Sequence, residues 1–184
     1  SYFNSADEAR VYGVELETRV DLIKSVEVDQ GYDLSLNLNA TRMWHEQDLK
    51  EIYDEDGTFI RTFQYNGKTE TGLQGASEWI FNSSLNFSTK SENEFNATVT
   101  ANYASDKIFA LGAAEVQTDS ENYYNDEIIE RGFVSLDAVL SKDFAKHWNI
   151  RLIGRNLLNP TIERTQNVKP INTGIESNKV VRSY

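Results

Sequence analysis

Residues 32–44, YDLSLNLNATRMW, alternate apolar and polar side chains almost without a break. Leu34, Leu36, Leu38 and Ala40 fall on one side of an extended strand, and Asp33, Ser35, Asn37, Asn39 and Thr41 on the other. The same period of two recurs at 11–22, 79–89, 95–106, 133–143 and 148–158, giving six segments in all. In the last of these, Trp148, Ile150, Leu152 and Leu158 oppose Asn149, Arg151 and Arg155. Repeated alternation predicts an all-β, antiparallel sheet with one dry face.

The connections sort by length. Those at 23–31, 90–94 and 145–147 are short, whereas those at 45–77, 107–132 and 159–179 are long and polar, and the two kinds alternate along the chain. One rim of the sheet therefore carries tight turns and the other large loops, the arrangement of an outer-membrane barrel. Asp56-Gly57 and Asn66-Gly67 in the first long connection are two-residue turn signals and predict a hairpin rising from the sheet.

Alternation alone is met equally by a soluble β-sandwich with its leucines in a core. Three features favour lipid. A strand of about ten residues, tilted by about 45°, rises roughly 23 Å, near the apolar band of about 25 Å on transmembrane barrels. The central part of the apolar face carries no Lys, Arg, Asp or Glu in any of the six segments; Arg42, Lys107 and Lys142 come only at strand ends. Aromatics collect at two levels, with Tyr12, Trp44, Trp79 and Tyr103 toward the long-loop rim and Tyr32, Phe87, Phe95 and Trp148 toward the short-turn rim. The opposite face then lines a wet lumen, with Glu15, Glu17, Arg19, Asn37, Asn39, His45, Asp137, Arg151 and Arg155 as its polar candidates. Centring the last short turn on Lys146 sets Asp137 opposite Arg155 as a cross-strand ion pair.

Composition narrows the chemistry. A net charge of −11 over 184 residues argues against nucleic-acid binding. The absence of cysteine excludes disulfides and thiolate metal sites, and with only His45 and His147 a histidine-based site would need carboxylates to complete it, so no metal or cofactor is expected. No apolar run reaches the length of a membrane-spanning helix. Asp54-Glu55-Asp56-Gly57 lacks the ligand spacing of a calcium loop and reads as a turn. Glu15 and Glu17 neighbour each other on one strand face instead of facing across a cleft, so they do not form a glycosidase pair. Asn-x-Ser/Thr matches at Asn39, Asn82, Asn86 and Asn96 follow from the Asn/Ser/Thr-rich face. No nucleophile–base arrangement is present, and no enzyme is expected.

ADEARVYGVELETRVDL at 6–22, residues 75–112 and residues 132–166 with RNLLNPT at 155–161 resemble barrel strands of TonB-dependent receptors of the Bacteroidetes type. The resemblance implies a six- to seven-strand segment of a barrel of about 22 strands, with short periplasmic turns and long extracellular loops. It implies active import through the outer membrane, with outer-membrane lipid around the barrel and an N-terminal plug domain inside it. The plug is coupled to TonB, ExbB and ExbD. The cargo is a scarce nutrient: iron–siderophore, haem, cobalamin or glycan. On this resemblance residues 1–184 form the C-terminal part of the barrel domain, without plug or TonB box, and NKVVRSY at 178–184 begins a final descending strand. Tyr53, Phe59, Phe63 and Tyr65 in the first long loop, and Tyr123 and Tyr124 in the second, become candidates for stacking on cargo. A soluble or surface-attached binding module and a passive porin are the alternatives.

Overall fold

The computed structural model describes residues 5–26, 31–65, 67–117, 122–144, 147–170 and 178–183. Six long strands form a continuous antiparallel wall: β1 (Ala9–Ile23), β2 (Gly31–Asp48), β6 (Trp79–Lys90), β7 (Phe95–Ala104), β11 (Phe133–Phe144) and β12 (Trp148–Gly154), in that spatial order. Between them lie β3 (Glu51–Tyr53), β4 (Phe59–Thr62), β5 (Glu70–Thr71), β8 (Lys107–Ala110), β9 (Ala113–Gln117) and β10 (Asn122–Glu130). β13 (Glu163–Pro170) and β14 (Asn178–Ser183) follow the wall.

The register keeps every face in phase. Across the wall, Leu16 meets Ala40, Ala40 meets Phe81, Phe81 meets Tyr103 and Tyr103 meets Val134. Below that row, Leu36 meets Leu85, Leu85 meets Val99 and Val99 meets Ala138. A slip of one residue at any interface would turn polar side chains into this face. No element covers the apolar side among the described residues: Leu16 is 69 % exposed, Leu152 64 % and Trp148 74 %. A sandwich core requires a second sheet over these leucines, and the buried apolar residues, Leu49, Tyr65 and Ile108, instead lie at the loop end of the strands.

Both aromatic levels form as contacts. At the long-loop rim Tyr12 stacks on Trp44 with centroids 5.5 Å apart, Trp79 on Phe81 at 5.6 Å, and Phe81 on Tyr103 at 6.2 Å. At the other rim Phe87 touches both Tyr32 and Phe95, at 5.7 and 6.2 Å. Eight residues separate Tyr103 from Phe95 and twelve separate Trp44 from Tyr32. At about 3.3 Å per residue and a 45° tilt these intervals rise roughly 19–28 Å, the height of a barrel's apolar band.

The long connections carry strands of their own. β2 runs on to Asp48, and β14, β13, β10 and β8 form a second sheet, with β9 also paired to β10. These strands prolong the wall. Glu130 pairs with Lys107 in the same register by which Phe133 pairs with Ala104, so the β7–β11 hairpin continues past a bend at Ser105–Asp106 and Arg131–Gly132. Asp106 fixes the bend by accepting the Gly132 N–H at 2.7 Å and pairing with Arg131 at 2.5 Å. A Cβ at Gly132 would lie 2.5 Å from the Ala104 carbonyl oxygen, which is why glycine stands there. Lys107, beyond the bend, does not reach along the lipid side; its Nζ meets Glu130 at 3.0 Å.

The expected loop-one hairpin forms as β3–β4, closed at Asp54–Thr58 with Gly57 at φ 79°. A second tight turn joins Tyr65 to Lys68, although Asn66 itself lies outside the described residues. The sixth alternating segment is shorter than the sequence implies. β12 stops at Gly154, and Asn156 and Asn159 take left-handed φ values of 53° and 44°, which asparagine tolerates better than most residues. Leu158, placed on the apolar face by parity, therefore lies in a turn beyond the strand, and Arg155 falls just past the strand's end. The seventh strand begins as β14 against β13, and Tyr184 lies outside the described residues.

Leu85 stands mid-strand on the apolar face, whereas Ser84 faces the other way. Leu85→Arg in the full-length receptor is expected to lower folding stability by about 2–4 kcal/mol, and Ser84→Arg by less than about 1 kcal/mol. Denaturant titration of the receptor folded into lipid vesicles checks this, and equal losses would contradict the assignment of faces.

Candidate functional site

The polar face is a ladder of short amide and hydroxyl side chains. Asn39 Nδ2 donates to Glu15 Oε1, and Asn82 Nδ2 donates to Asn39 Oδ1 at 3.3 Å. Thr98 Oγ1 donates to Asn86 Oδ1 at 3.0 Å. The ladder spans β1, β2, β6 and β7 and satisfies side chains that would otherwise compete with the backbone. Arg19 stands across from Asn37 and lies 3.6 Å from Asp21. Glu17 pairs in register with Asn39, and Arg151 with Ser141. Toward the short turns a groove of about 500 Å³ runs past Arg19, Asp21, Asp33, Ser35 and Thr98. Asn37 Oδ1 is buried with no hydrogen-bond partner among the described residues.

The register puts Asp137 level with Arg155, yet the expected ion pair does not form. Asp137 Oδ1 instead accepts the Asn156 N–H at 2.8 Å, and the Leu157 N–H reaches the Leu136 carbonyl at 2.8 Å. The left-handed turn after Gly154 swings backbone donors toward β11, and these take the carboxylate first.

The loop-rim candidates divide. Tyr53 and Phe59 face each other across the β3–β4 hairpin, edge to face at 5.8 Å, and both remain half exposed. The guanidinium of Arg61 lies 4.9 Å from the Phe63 ring centre. Tyr65 is 2 % exposed, with its hydroxyl 3.3 Å from Thr71 Oγ1, so it is a core residue of the loop and presents no face to cargo. The backbones of Tyr123 and Tyr124 lie in β10, and their side chains are outside the described residues. His45 Nδ1 accepts the Leu73 N–H at 3.0 Å, while its Nε2 is buried without a partner among the described residues. It borders a cavity of about 570 Å³ shared with Gly72, Trp79, Lys107 and Glu127.

Two ionic clusters that sequence reading does not anticipate tie the loops together. Lys68 in the first loop reaches Glu127 at 2.7 Å and Asp126 at 3.3 Å in the second. Burial alone pushes the Glu127 carboxyl up, but hydrogen bonds from Asp126 and Lys68 outweigh it and hold it at about 2. Asp126, desolvated and beside that charge, is pushed up. In the second cluster Glu130, 7 % exposed, lies between Lys107 at 3.0 Å and Arg164 at 2.7 Å. The Arg164 guanidinium also caps the Phe109 ring, 3.6 Å from its centre. Desolvation would raise the Glu130 carboxyl, and the hydrogen bonds and charges of Arg164 and Lys107 hold it below the usual glutamate range instead. These partners stand 59, 23 and 34 residues apart, too far for any periodicity or motif to signal.

An exposed apolar band between two aromatic levels, backed by a polar inner ladder and crowned by stapled loops, defines a transmembrane β-barrel wall of the outer-membrane type. Residues 1–157 match the family described as TonB dependent receptor-like, beta-barrel, and the chain belongs to that family. Its members are outer-membrane receptors and transporters, not enzymes. No curated protein matches the chain, and no solved structure does.

Glu130→Gln is expected to leave two cations facing a neutral amide and to weaken the β8–β10–β13 junction by about 1–3 kcal/mol. Hydrogen exchange of β10 and β13 amides in the full receptor measures the loss. Because the folded carboxyl titrates below its unfolded value of about 4.3, its contribution is complete above that pH and fades as pH falls through the folded value. Protection in the wild type should therefore drop below about pH 4 and that of Glu130→Gln should change less. Identical protection in the two proteins at pH 7 would show the cluster to be inert.

Proposed function

We propose that this chain forms part of the wall and the extracellular mouth of an active importer in the outer membrane. The observation that carries the reading is the in-register apolar face, exposed along six strands and bounded by two aromatic levels. Among the described residues, the outer strands β1 and β12 each leave one edge of backbone groups open. In hydrocarbon such edges cost several kcal/mol per unpaired group, so further strands of a larger barrel complete them. The Asn/Ser/Thr ladder with Glu15, Glu17, Arg19 and Asn37 suits contact with a plug domain inside the lumen, through which TonB, ExbB and ExbD supply force. The half-exposed Tyr53–Phe59 pair on the β3–β4 hairpin suits first contact with cargo, whether iron–siderophore, haem, cobalamin or glycan. A Bacteroidetes-type member fits the strand sequences, and residues 1–184 fit the C-terminal part of its barrel domain. The family match favours import over a passive porin, and the uncovered leucines disfavour a soluble sandwich.

The test labels the full-length receptor, with any other cysteines removed, at Leu36→Cys or Asn37→Cys with an environment-sensitive fluorophore. In vesicles containing brominated lipid, strong quenching is expected at 36 and little at 37. Quenching at neither position would put the leucines in a protein core and end the barrel reading.

A further inference from the structure

One row of the polar face departs from its own chemistry. Ile80, Ala104 and Phe133 sit side by side on β6, β7 and β11, on the face that carries Asn82, Asn102 and Ser135 one row deeper. The two rows line a cavity of about 230 Å³ just below the Asp106–Gly132 bend. Its upper part is a methyl floor flanked by an isoleucine and a phenylalanine, two strand spacings or roughly 10 Å apart. Its lower part is a shelf of two amides and a hydroxyl.

The shelf has hydrogen-bonding capacity to spare. Asn82 Nδ2 donates to Asn39 Oδ1 at 3.3 Å, and Asn102 Nδ2 donates to Ser135 Oγ at a long 3.5 Å. Both side chains are part-exposed, and among the described residues no donor reaches Asn82 Oδ1 or Asn102 Oδ1. An amide carries two N–H donors and a carbonyl with two lone pairs, so each can both give and take further bonds. The ionic groups around the cavity are already matched, Lys107 and Arg164 on Glu130, and Arg131 on Asp106. The capacity left over is that of neutral groups beside an apolar surface.

We propose that this cavity is a subsite for one neutral sugar ring of the cargo. A pyranose has a C–H face and an edge of neighbouring hydroxyls, each both donor and acceptor. The C–H face suits Ile80 and Phe133, where dispersion sums over many contacts and the negative face of the ring attracts C–H hydrogens. The hydroxyl edge suits Asn82, Asn102 and Ser135, because an amide offers a donor and an acceptor side by side. The cavity has room for one such ring and not for a macrocycle, which favours glycan over haem or cobalamin. Its place below the mouth, on the wall beneath the loops, fits a ring in passage after first capture.

The subsite rests on the import reading, and its test separates the two. Full-length receptor in detergent is titrated with the methyl glycosides of glucose, galactose and mannose, and binding is followed by saturation-transfer NMR. At least one of the three is expected to bind. Phe133→Leu, which keeps apolar volume without the ring, should weaken that sugar about threefold or more. Asn102→Ala should weaken it about fivefold, the worth of one hydrogen bond. Asn82→Ala removes the neighbouring amide and serves if Asn102→Ala does not fold. Asn96→Ala, lower on the polar face of β7 and outside the cavity, should leave binding intact. No binding of any of the three by the wild type, as when a plug fills the cavity, overturns the subsite. So does unchanged binding in the cavity variants, or an equal loss in Asn96→Ala. Each of these outcomes leaves the quenching contrast between positions 36 and 37 intact, whereas a failed barrel reading abolishes that contrast.

Discussion

Backbone pairing in a medium without water governs this structure. Each peptide N–H and C=O that faces hydrocarbon without a partner costs several kcal/mol, so the chain has to form ladders with its neighbours along the whole crossing. Once the ladders exist, the pleat sends successive side chains to opposite faces, and register decides whether the apolar ones agree from strand to strand. Here they agree across all five interfaces of the wall, from the Leu16–Ala40 pair to the Leu140–Leu152 pair. The lipid face, the polar lumen and the aromatic levels are consequences of that single registration.

The same constraint explains where regularity ends. Above the upper aromatics the strands leave the hydrocarbon, water returns as a partner for the backbone, and bends become affordable. The hairpin of β7 and β11 kinks there, at Asp106 and Gly132, and resumes as β8 and β10. What holds this upper sheet is no longer a continuous apolar surface. It is a small core of Leu49, Tyr65 and Ile108 together with carboxylates shared by cations from different loops. Glu130, pinned by Lys107 and Arg164, ties β8, β10 and β13 through one side chain.

This division also decides what the sequence reveals. Inside the membrane both faces of a strand have strict and opposite demands, so Leu34, Leu36 and Leu38 alternate with Ser35, Asn37 and Asn39 and the strand can be read directly. Above it the demands relax: NYYNDEIIE in β10 has no period of two, and its strand character comes from pairing with β13 and β8, which lie far away in the chain. The Asp54–Thr58 turn was readable because Asp-Gly carries its own backbone preference. Leu158 misled because its even parity continues that of Ile150 and Leu152, while the left-handed Asn156 breaks the strand between them. The polar face was legible as such, but the donors that reach Asp137 were not, since a backbone N–H leaves no mark in the sequence. Lys68 and Glu127 are ordinary charged residues until folding sets them 2.7 Å apart.

A wall assembled in this way separates two jobs that would conflict in one material. For the import proposed above, the lumen requires side chains that exchange hydrogen bonds readily, and the Asn/Ser/Thr ladder would supply them without the desolvation cost of paired full charges. The mouth of that proposed importer requires loops that hold a shape in water, where a few ion pairs alone are weak. The loops gain that shape because their ionic clusters are partly buried, beside Tyr65 in one case and Phe109 in the other. The rigid register of the wall carries outward through β8, β10 and β13, so the position of the mouth is set by the same ladder that crosses the lipid. A change in the loops can therefore alter what the mouth meets without disturbing the barrel. A change of register in the wall would move both.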